Sequence, residues 1–286
     1  MRKQQLTAAD VMLFILLGVF CFTTIYPFWS IIVISFTEAK AYFSSEYHLI
    51  PNSFSLEAYS YNFENPLLLR SLFISIFVTA AGTANSLFWT IITAYFLSKK
   101  KLAFVTILAI LFLIPLYFDG GLIPNFVLIR QLGLRNNLLS IILPFTIHPF
   151  FLILTVSYFA SRNPEIEEAA IVDGAGSFTV LFRIVVPTAK PILATIGLFY
   201  AVQYWNDWFW PMIYLTDRDL FPLALYLRNV ISQSTWVTVD PGVAGNTNPA
   251  TVRAATIVIA ILPIILVYPF VQRYFVHGIM LGSTKE

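Results

Sequence analysis

Two short stretches of this 286-residue chain gather side chains that could do chemistry. The first, Gln203-Tyr204-Trp205-Asn206-Asp207-Trp208-Phe209-Trp210-Pro211, sets amides and a carboxylate among large aromatic rings. An ionised carboxylate within an apolar span costs about 2.5–3.5 kcal/mol even on lenient insertion scales, so Asp207 is expected to face a cavity, a partner or an interface. On a helix, Gln203, Asn206 and Asp207 fall at i, i+3 and i+4 and share one polar face. Together with Tyr204 they could hydrogen-bond a hydroxyl-rich ligand such as a sugar, whose apolar ring faces suit the aromatics. Trp and Tyr also collect at membrane interfaces simply as anchors, and that reading accounts for most of the rings.

The second stretch runs Ser161-Arg162-Asn163-Pro164-Glu165-Ile166-Glu167-Glu168-Ala169-Ala170-Ile171-Val172-Asp173-Gly174-Ala175-Gly176-Ser177-Phe178 and continues to Val186-Pro187. Glu165, Glu167, Glu168 and Asp173 place four of the 15 acidic residues here. Asn163 suits a helix cap, Pro164 a first turn, and acidic side chains the positive end of the helix dipole. The spacing predicts a short helix from Pro164 to Gly174 and a second from Ser177 to about Val185. Ile166, Ala169, Ala170 and Asp173 would share a face, and the small Ala and Gly residues would admit another protein's backbone. Caps and alanines alone would equally describe an amphipathic helix resting on lipid.

Other chemistry finds little support. No nucleophile–base–acid constellation emerges, and Cys21 is the only cysteine, which removes internal disulfides and cysteine-based metal sites. His148 lies between Pro144 and Pro149, where a role at a kink or in a cavity fits better than metal binding. His48 and His277 are expected on opposite sides of a membrane. No Gly-x-x-x-x-Gly-Lys-Ser/Thr phosphate loop is present, so any ATP must be handled by another polypeptide.

The elements that position these residues follow from composition. Hydrophobic residues make up 58% of the chain and charged ones 11%, against about 25% charged in a soluble domain. A water-soluble enzyme is excluded, and a net charge of +2 gives no reason to expect a nucleic-acid partner. Crossing a bilayer takes about 20 helical residues. Apolar runs predict an all-α, polytopic membrane bundle of six transmembrane helices, at about 11–36, 71–97, 102–118, 138–160, 188–215 and 254–271. Prolines inside these runs are tolerated where neighbours satisfy the freed backbone groups. The turn Lys99-Lys100-Lys101, with Arg2, Lys3, Arg162, Arg183, Lys190, Arg273 and Lys285, puts both termini and the 161–187 loop on the cytoplasmic side. The longer loops fall outside, including the turn-rich Asp240-Pro241-Gly242 and Asn246-Thr247-Asn248-Pro249. Asp119-Gly120-Gly121 reads as a span-end turn or an external gate, and Ala80-Ala81-Gly82-Thr83-Ala84 as a close-packing stripe. With no internal repeat, residues 1–286 are expected to form a single membrane domain.

The 161–187 loop strongly resembles the cytoplasmic "EAA" loop of the permease subunits of binding-protein-dependent ATP-binding cassette importers. That signature is Glu-Ala-Ala, three residues to Gly, and nine more to a hydrophobic-x-hydrophobic-Pro ending. Here it is Glu168-Ala169-Ala170, Gly174 and Ile184-Val185-Val186-Pro187, with Val186 where Leu is usual. Val252-Arg253-Ala254-Ala255 and Gln272-Arg273-Tyr274-Phe275-Val276-His277-Gly278 look like the carbohydrate, maltose-type subfamily. Members often end in a Gly-rich tail with Lys-Gly, whereas this chain ends Gly282-Ser283-Thr284-Lys285-Glu286.

The resemblance implies a coupling helix, with Glu168, Ala169, Ala170, Asp173 and Gly174 meeting an ATPase and Gly278 and Gly282 in a tail that reaches it. It implies a second permease subunit, expected to be a different chain, two ATPase subunits that use ATP and Mg2+, and an extracytoplasmic binding protein. The expected function is import of an oligosaccharide across a bacterial plasma membrane, with no catalysis and no cofactor bound by this chain. A permease for a non-sugar solute, a polytopic membrane enzyme and a secondary carrier are the alternatives; the last two would act without ATPase partners.

Overall fold

A chain crossing hydrocarbon must satisfy its backbone polar groups internally, which favours helices. The computed structural model describes residues 8–44, 49–99, 103–232 and 248–283. Within them the regular structure is helical, apart from an isolated antiparallel bridge between Thr37 and Phe54. Lys100 and Lys101, most of the expected turn-rich outer loop, and the termini with Arg2, Lys3 and Lys285 lie outside the described residues.

Three helices are long and apolar enough to cross a bilayer unaided: α1 (Ala8–Ser35), α3 (Pro66–Ser98) and the first part of α14 (Pro249–Ser283). A short α2 (Glu57–Glu64) precedes α3. The other apolar stretches are bent helix pairs, bringing the total to as many as six if each pair is one span. In the first, α4 (Ala103–Tyr117) turns through 118° into α5 (Leu122–Gln131). Asp119 Oδ1 accepts from the Gly121 N–H at 3.0 Å, and Gly121 adopts φ +84°, a left-handed angle open to glycine. Residues 119–137, which lie between the expected third and fourth spans, are therefore not all loop: α4 ends at Tyr117, and the turn at 119–121 leads directly into a second helix.

In the second pair α6 (Leu139–Ile142), with a 3-10 turn to Phe145, bends 45° from α7 (Pro149–Ala160). Pro144 and Pro149 explain the break, since neither ring nitrogen can donate. Beyond α7 lie α8 (Glu165–Val172), α9 (Ser177–Val180), a π-helical turn Leu181–Val185 and α10 (Val186–Thr188). Pro187, expected to follow the end of this helix, is taken inside it, because π adjustments re-satisfy backbone groups that a proline frees. Ser177–Thr188 then meets α11 (Lys190–Asn206) at 85°. The expected fifth span, 188–215, is not continuous: α11 stops at Asn206, and α12 (Phe209–Tyr214) follows a two-residue break. Helix α13 spans Leu223–Ser232.

Contacts divide the chain into two compact units. In the unit made of Met1–Leu68 and Leu227–Pro263, Phe36 stacks on Phe54 with ring centroids 5.4 Å apart. Buried Asn62 donates to the Val252 carbonyl and accepts from Thr256 Oγ1 at 2.8 Å, so every polar atom of that amide is used.

The unit Leu69–Tyr226 with Ile264–Glu286 holds the apolar core that positions both chemistry-bearing stretches. Ala94 and Leu97 of α3, Leu152 and Phe159 of α7, Val180, Val185 and Leu193 pack together there. Tyr200 and Tyr204 of α11 carry hydroxyls into this low-dielectric interior, where each needs a partner. Thr90 bonds Tyr200 at 2.8 Å and Ser86 bonds Tyr204 at 2.9 Å, so α3 and α11 run antiparallel. Tyr200 also accepts the His148 N–H at 3.0 Å, while the Tyr204 hydroxyl faces the Ile142 and Phe145 carbonyls at 3.3 Å. These are backbone groups freed by the proline break, and the two tyrosines satisfy them. His148 therefore works at the kink through its backbone, with its ring 4.5 Å from that of Phe151.

Candidate functional site

The loop helix α8 is built as its sequence dictates. Asn163 Oδ1 accepts from the Glu165 N–H at 3.1 Å, Pro164 occupies the N-cap position, and Glu165, Glu167 and Glu168 fill the first turn. At the other end Ala175 N–H reaches the Ala170 carbonyl at 2.9 Å and Gly174 N–H the Ile171 carbonyl at 3.0 Å. Gly174 closes this C-terminal turn at φ +85°, the conformation for which glycine is enriched there.

Glu168, Ala169, Asp173 and Gly174 are exposed, and so are Ile166, Ile171, Val172 and Phe178. Val172 is 86% exposed, an unusual amount of apolar surface for a helix whose sequence could have hidden it. Ala170 differs from the other members of the expected face, being half-buried against the core with Ala175 and Val186. A Cβ added at Gly174 would meet nothing within 4 Å, so this chain leaves the position open.

Sequence reasoning missed the role of Glu167. It turns inward, pairs with Lys99 at the end of α3, and accepts from the Tyr95 hydroxyl at 3.3 Å. The available signal was Tyr95 and Lys99 four residues apart at the end of an apolar run, the spacing that puts both on one helix face.

The second stretch lines a cavity of about 230 Å3, walled by Phe145, Gln203, Tyr204, Asn206, Asp207 and Trp210. Gln203, Asn206 and Asp207 do converge on one space, although not along a continuous helix. Asp207 has ψ 110°, and its Oδ1 accepts from the N–H groups of Phe209 at 3.1 Å and Trp210 at 3.2 Å. The carboxylate thus stabilises the start of α12, which is why the chain breaks there; short acidic side chains compete for backbone donors and favour caps over helix interiors. Asn206 ends α11 and bonds the Val202 carbonyl at 3.0 Å. Tyr204 forms a wall, its hydroxyl committed to α3 and the kink. Trp210 faces Phe145 and Tyr214, with centroids 5.4 Å away in each case. A larger cavity of about 600 Å3 is lined by Phe77, Ala81, Asn85, Asn136, Asn137 and neighbouring apolar residues. Gly278 and Gly282 continue α14 beyond the expected end of the sixth span.

The chain is a polytopic helical membrane protein, its helices broken at 118–121, at 144–149 and at Asp207, with a capped acidic loop helix that ends in an open left-handed glycine. The family model for the inner membrane component of binding-protein-dependent transport systems matches residues 86–280, and the chain belongs to that family. It is 37% identical over 96% of its length to the polygalacturonan/rhamnogalacturonan transport system permease protein YtcP of Bacillus subtilis, covering 98% of that protein. Protein LplC of the same organism is 38% identical, with 96% of this chain and 94% of that one covered. Among solved structures, a bacterial ABC transporter involved in import of the acidic polysaccharide alginate superposes with TM-score 0.89 and 33% identity. The match covers 96% of this chain and all of that one.

Proposed function

We propose that this chain is a permease subunit of an ATP-driven importer, translocating an oligosaccharide delivered by an extracytoplasmic binding protein. The observation that carries the reading is α8, a capped helix that, Glu167 apart, turns its acidic residues and Ile166, Ile171 and Val172 outward and whose terminal glycine leaves room for another backbone. A second permease subunit completes the translocation path, and two ATPase subunits that use ATP and Mg2+ dock on α8 from the cytoplasm. Both termini then lie on the cytoplasmic side of a bacterial plasma membrane, with the end of α14, including Gly278 and Gly282, directed toward the ATPases.

Oligosaccharide import is supported by the relatives named for polygalacturonan, rhamnogalacturonan and alginate and by the amide, carboxylate and aromatic lining of the smaller cavity. The assignment is tested by purifying the assembly with its binding protein and measuring ATP hydrolysis with oligogalacturonides, alginate oligosaccharides and malto-oligosaccharides. Stimulation of several-fold by at least one of them is expected. A silent sugar panel beside a responsive amino-acid or peptide panel would overturn the substrate class.

The cavity itself gives a finer expectation. Asn206→Ala with Asp207→Ala should lower uptake more than it lowers the yield of assembled complex. Loss of the Asp207 cap costs about 1 kcal/mol, so Asp207→Asn, which keeps an acceptor oxygen for α12, separates capping from transport. Unchanged uptake kinetics in both would remove these residues from the substrate path.

A further inference from the structure

Among the described charged residues Glu167 alone is buried, at 7% exposure. Its carboxylate holds the Lys99 ammonium and the Tyr95 hydroxyl on the same oxygen, and Lys99 Nζ also lies 4.7 Å from the Tyr95 ring centroid. A desolvated charge is retained only when paired, and removing one partner strands the other. Beside the half-buried contact of Ala170 with the apolar core, this ion pair ties α8 to α3 at a sequence separation of 68 residues.

The base of the loop has separate fastenings. Arg162 donates to Thr188 Oγ1, and the Tyr158 hydroxyl donates to the Thr188 carbonyl at 3.4 Å. These join the loop to the helices that flank it in the chain, α7 and α10; the Glu167 contact reaches an element that does not. From Tyr95, α3 carries polar contacts onward, Thr90 to Tyr200 and Ser86 to Tyr204, and Tyr204 walls the smaller cavity.

We infer that Glu167, Lys99 and Tyr95 are positioning residues that make α3 a third strut between α8 and the cavity wall, beside the two flanking helices. The inference rests on the reading of α8 as the ATPase-docking helix. A rigid element with a paired contact at each end transmits displacement, whereas a severed pair lets α8 move while the cavity stays still.

The test uses the complete importer, both permeases, the ATPases and the binding protein, reconstituted in proteoliposomes with the oligosaccharide that stimulates hydrolysis most. Uptake and ATP hydrolysis are measured together. Glu167→Gln and Lys99→Gln should each lower the sugar carried per ATP by about tenfold, within the span of ordinary inter-site couplings. Lys99→Arg should keep the ratio, and the exchange Lys99→Glu with Glu167→Lys should restore most of it. A merely structural role would reduce the amount of complex and leave the ratio of the assembled fraction alone. The strut is rejected if the single variants keep the wild-type ratio, or if the exchange does no better than Glu167→Gln. Gly174→Leu, run alongside, separates the two readings. If the wild-type assembly hydrolyses no ATP in response to the loaded binding protein, the docking reading fails. Loss of coupling in Gly174→Leu with none in Glu167→Gln rejects the strut alone.

Discussion

Gly174→Leu is expected to abolish transport-coupled ATP hydrolysis by the assembled importer while the chain remains inserted in the membrane. Within this chain the substitution is cheap. A Cβ at residue 174 meets no atom within 4 Å, so the internal cost is that of a non-glycine residue at φ +85°, about 1–2 kcal/mol. That strain falls at the exposed end of a short helix. On the proposed docking of α8, the large effect comes from outside the chain, where a leucine side chain would hold an approaching ATPase surface away from Ala169 and Glu168. Two companion variants divide strain from bulk. Gly174→Ala keeps most of the strain with one added carbon, and Gly174→Asn relieves strain, because Asn tolerates the left-handed region, while adding bulk. Coupled hydrolysis should fall in the order Ala, Asn, Leu if bulk decides. Normal coupled hydrolysis by a purified, correctly assembled Gly174→Leu complex would refute the assignment.

The second large effect is expected at Gly82, inside the stripe of small residues in α3. A Cβ built there lies 2.7, 2.8 and 2.9 Å from three atoms of the Tyr204 ring, closer than real Cβ atoms come. The ring is buried and its hydroxyl is held by Ser86 and the kink carbonyls, so a shift away from α3 toward the cavity it walls would break those bonds. Over-packing a core costs about 1–3 kcal/mol, and a lost inter-helix hydrogen bond in a membrane about 0.6–2 kcal/mol. Gly82→Ala is thus expected to destabilise the chain by about 2–4 kcal/mol, and Gly82→Leu to prevent assembly. Thermal inactivation of the detergent-purified complex reads the first, and yield of assembled complex the second. Tyr204→Leu, which removes the hydroxyl and much of the ring, should recover part of the Gly82→Ala loss. An unchanged inactivation midpoint for Gly82→Ala would show that α3 and α11 do not pack as described.

What could be read in advance depended on how local the determining physics is. The long apolar runs of α1 and α3 needed only composition and the length of a bilayer crossing. Helix α8 was legible to within a residue or two, since Asn163, Pro164 and Gly174 each act on their immediate neighbours through caps and backbone angles. The break at Asp207 was not, although its cause is also local. Hydrophobicity and i, i+4 spacing both favoured a continuous helix, and the competing term, a carboxylate taking two backbone N–H groups, does not show in periodicity. Helix α5 was hidden in the same way: Gly120-Gly121 marks the end of a helix, and nothing in that signal shows that another begins at Leu122. Glu167 could not be singled out from Glu165 and Glu168, since its burial is decided by Lys99 and Tyr95, residues that only the fold brings near. The pairing of Tyr200 and Tyr204 with the proline kink has the same long-range origin.

The central claim, that α8 is where this chain receives its energy, is tested most directly by a photo-crosslinking amino acid at Val172, the most exposed large apolar residue of α8. The importer is assembled with its partner permease, ATPases and binding protein, shown to import, and then irradiated. The photo-crosslinker in place of Val172 is expected to capture an ATPase subunit, and the cross-linked assembly to lose the coupling of ATP hydrolysis to uptake. Capture of lipid or of the binding protein alone, in an assembly that still imports, would contradict the claim.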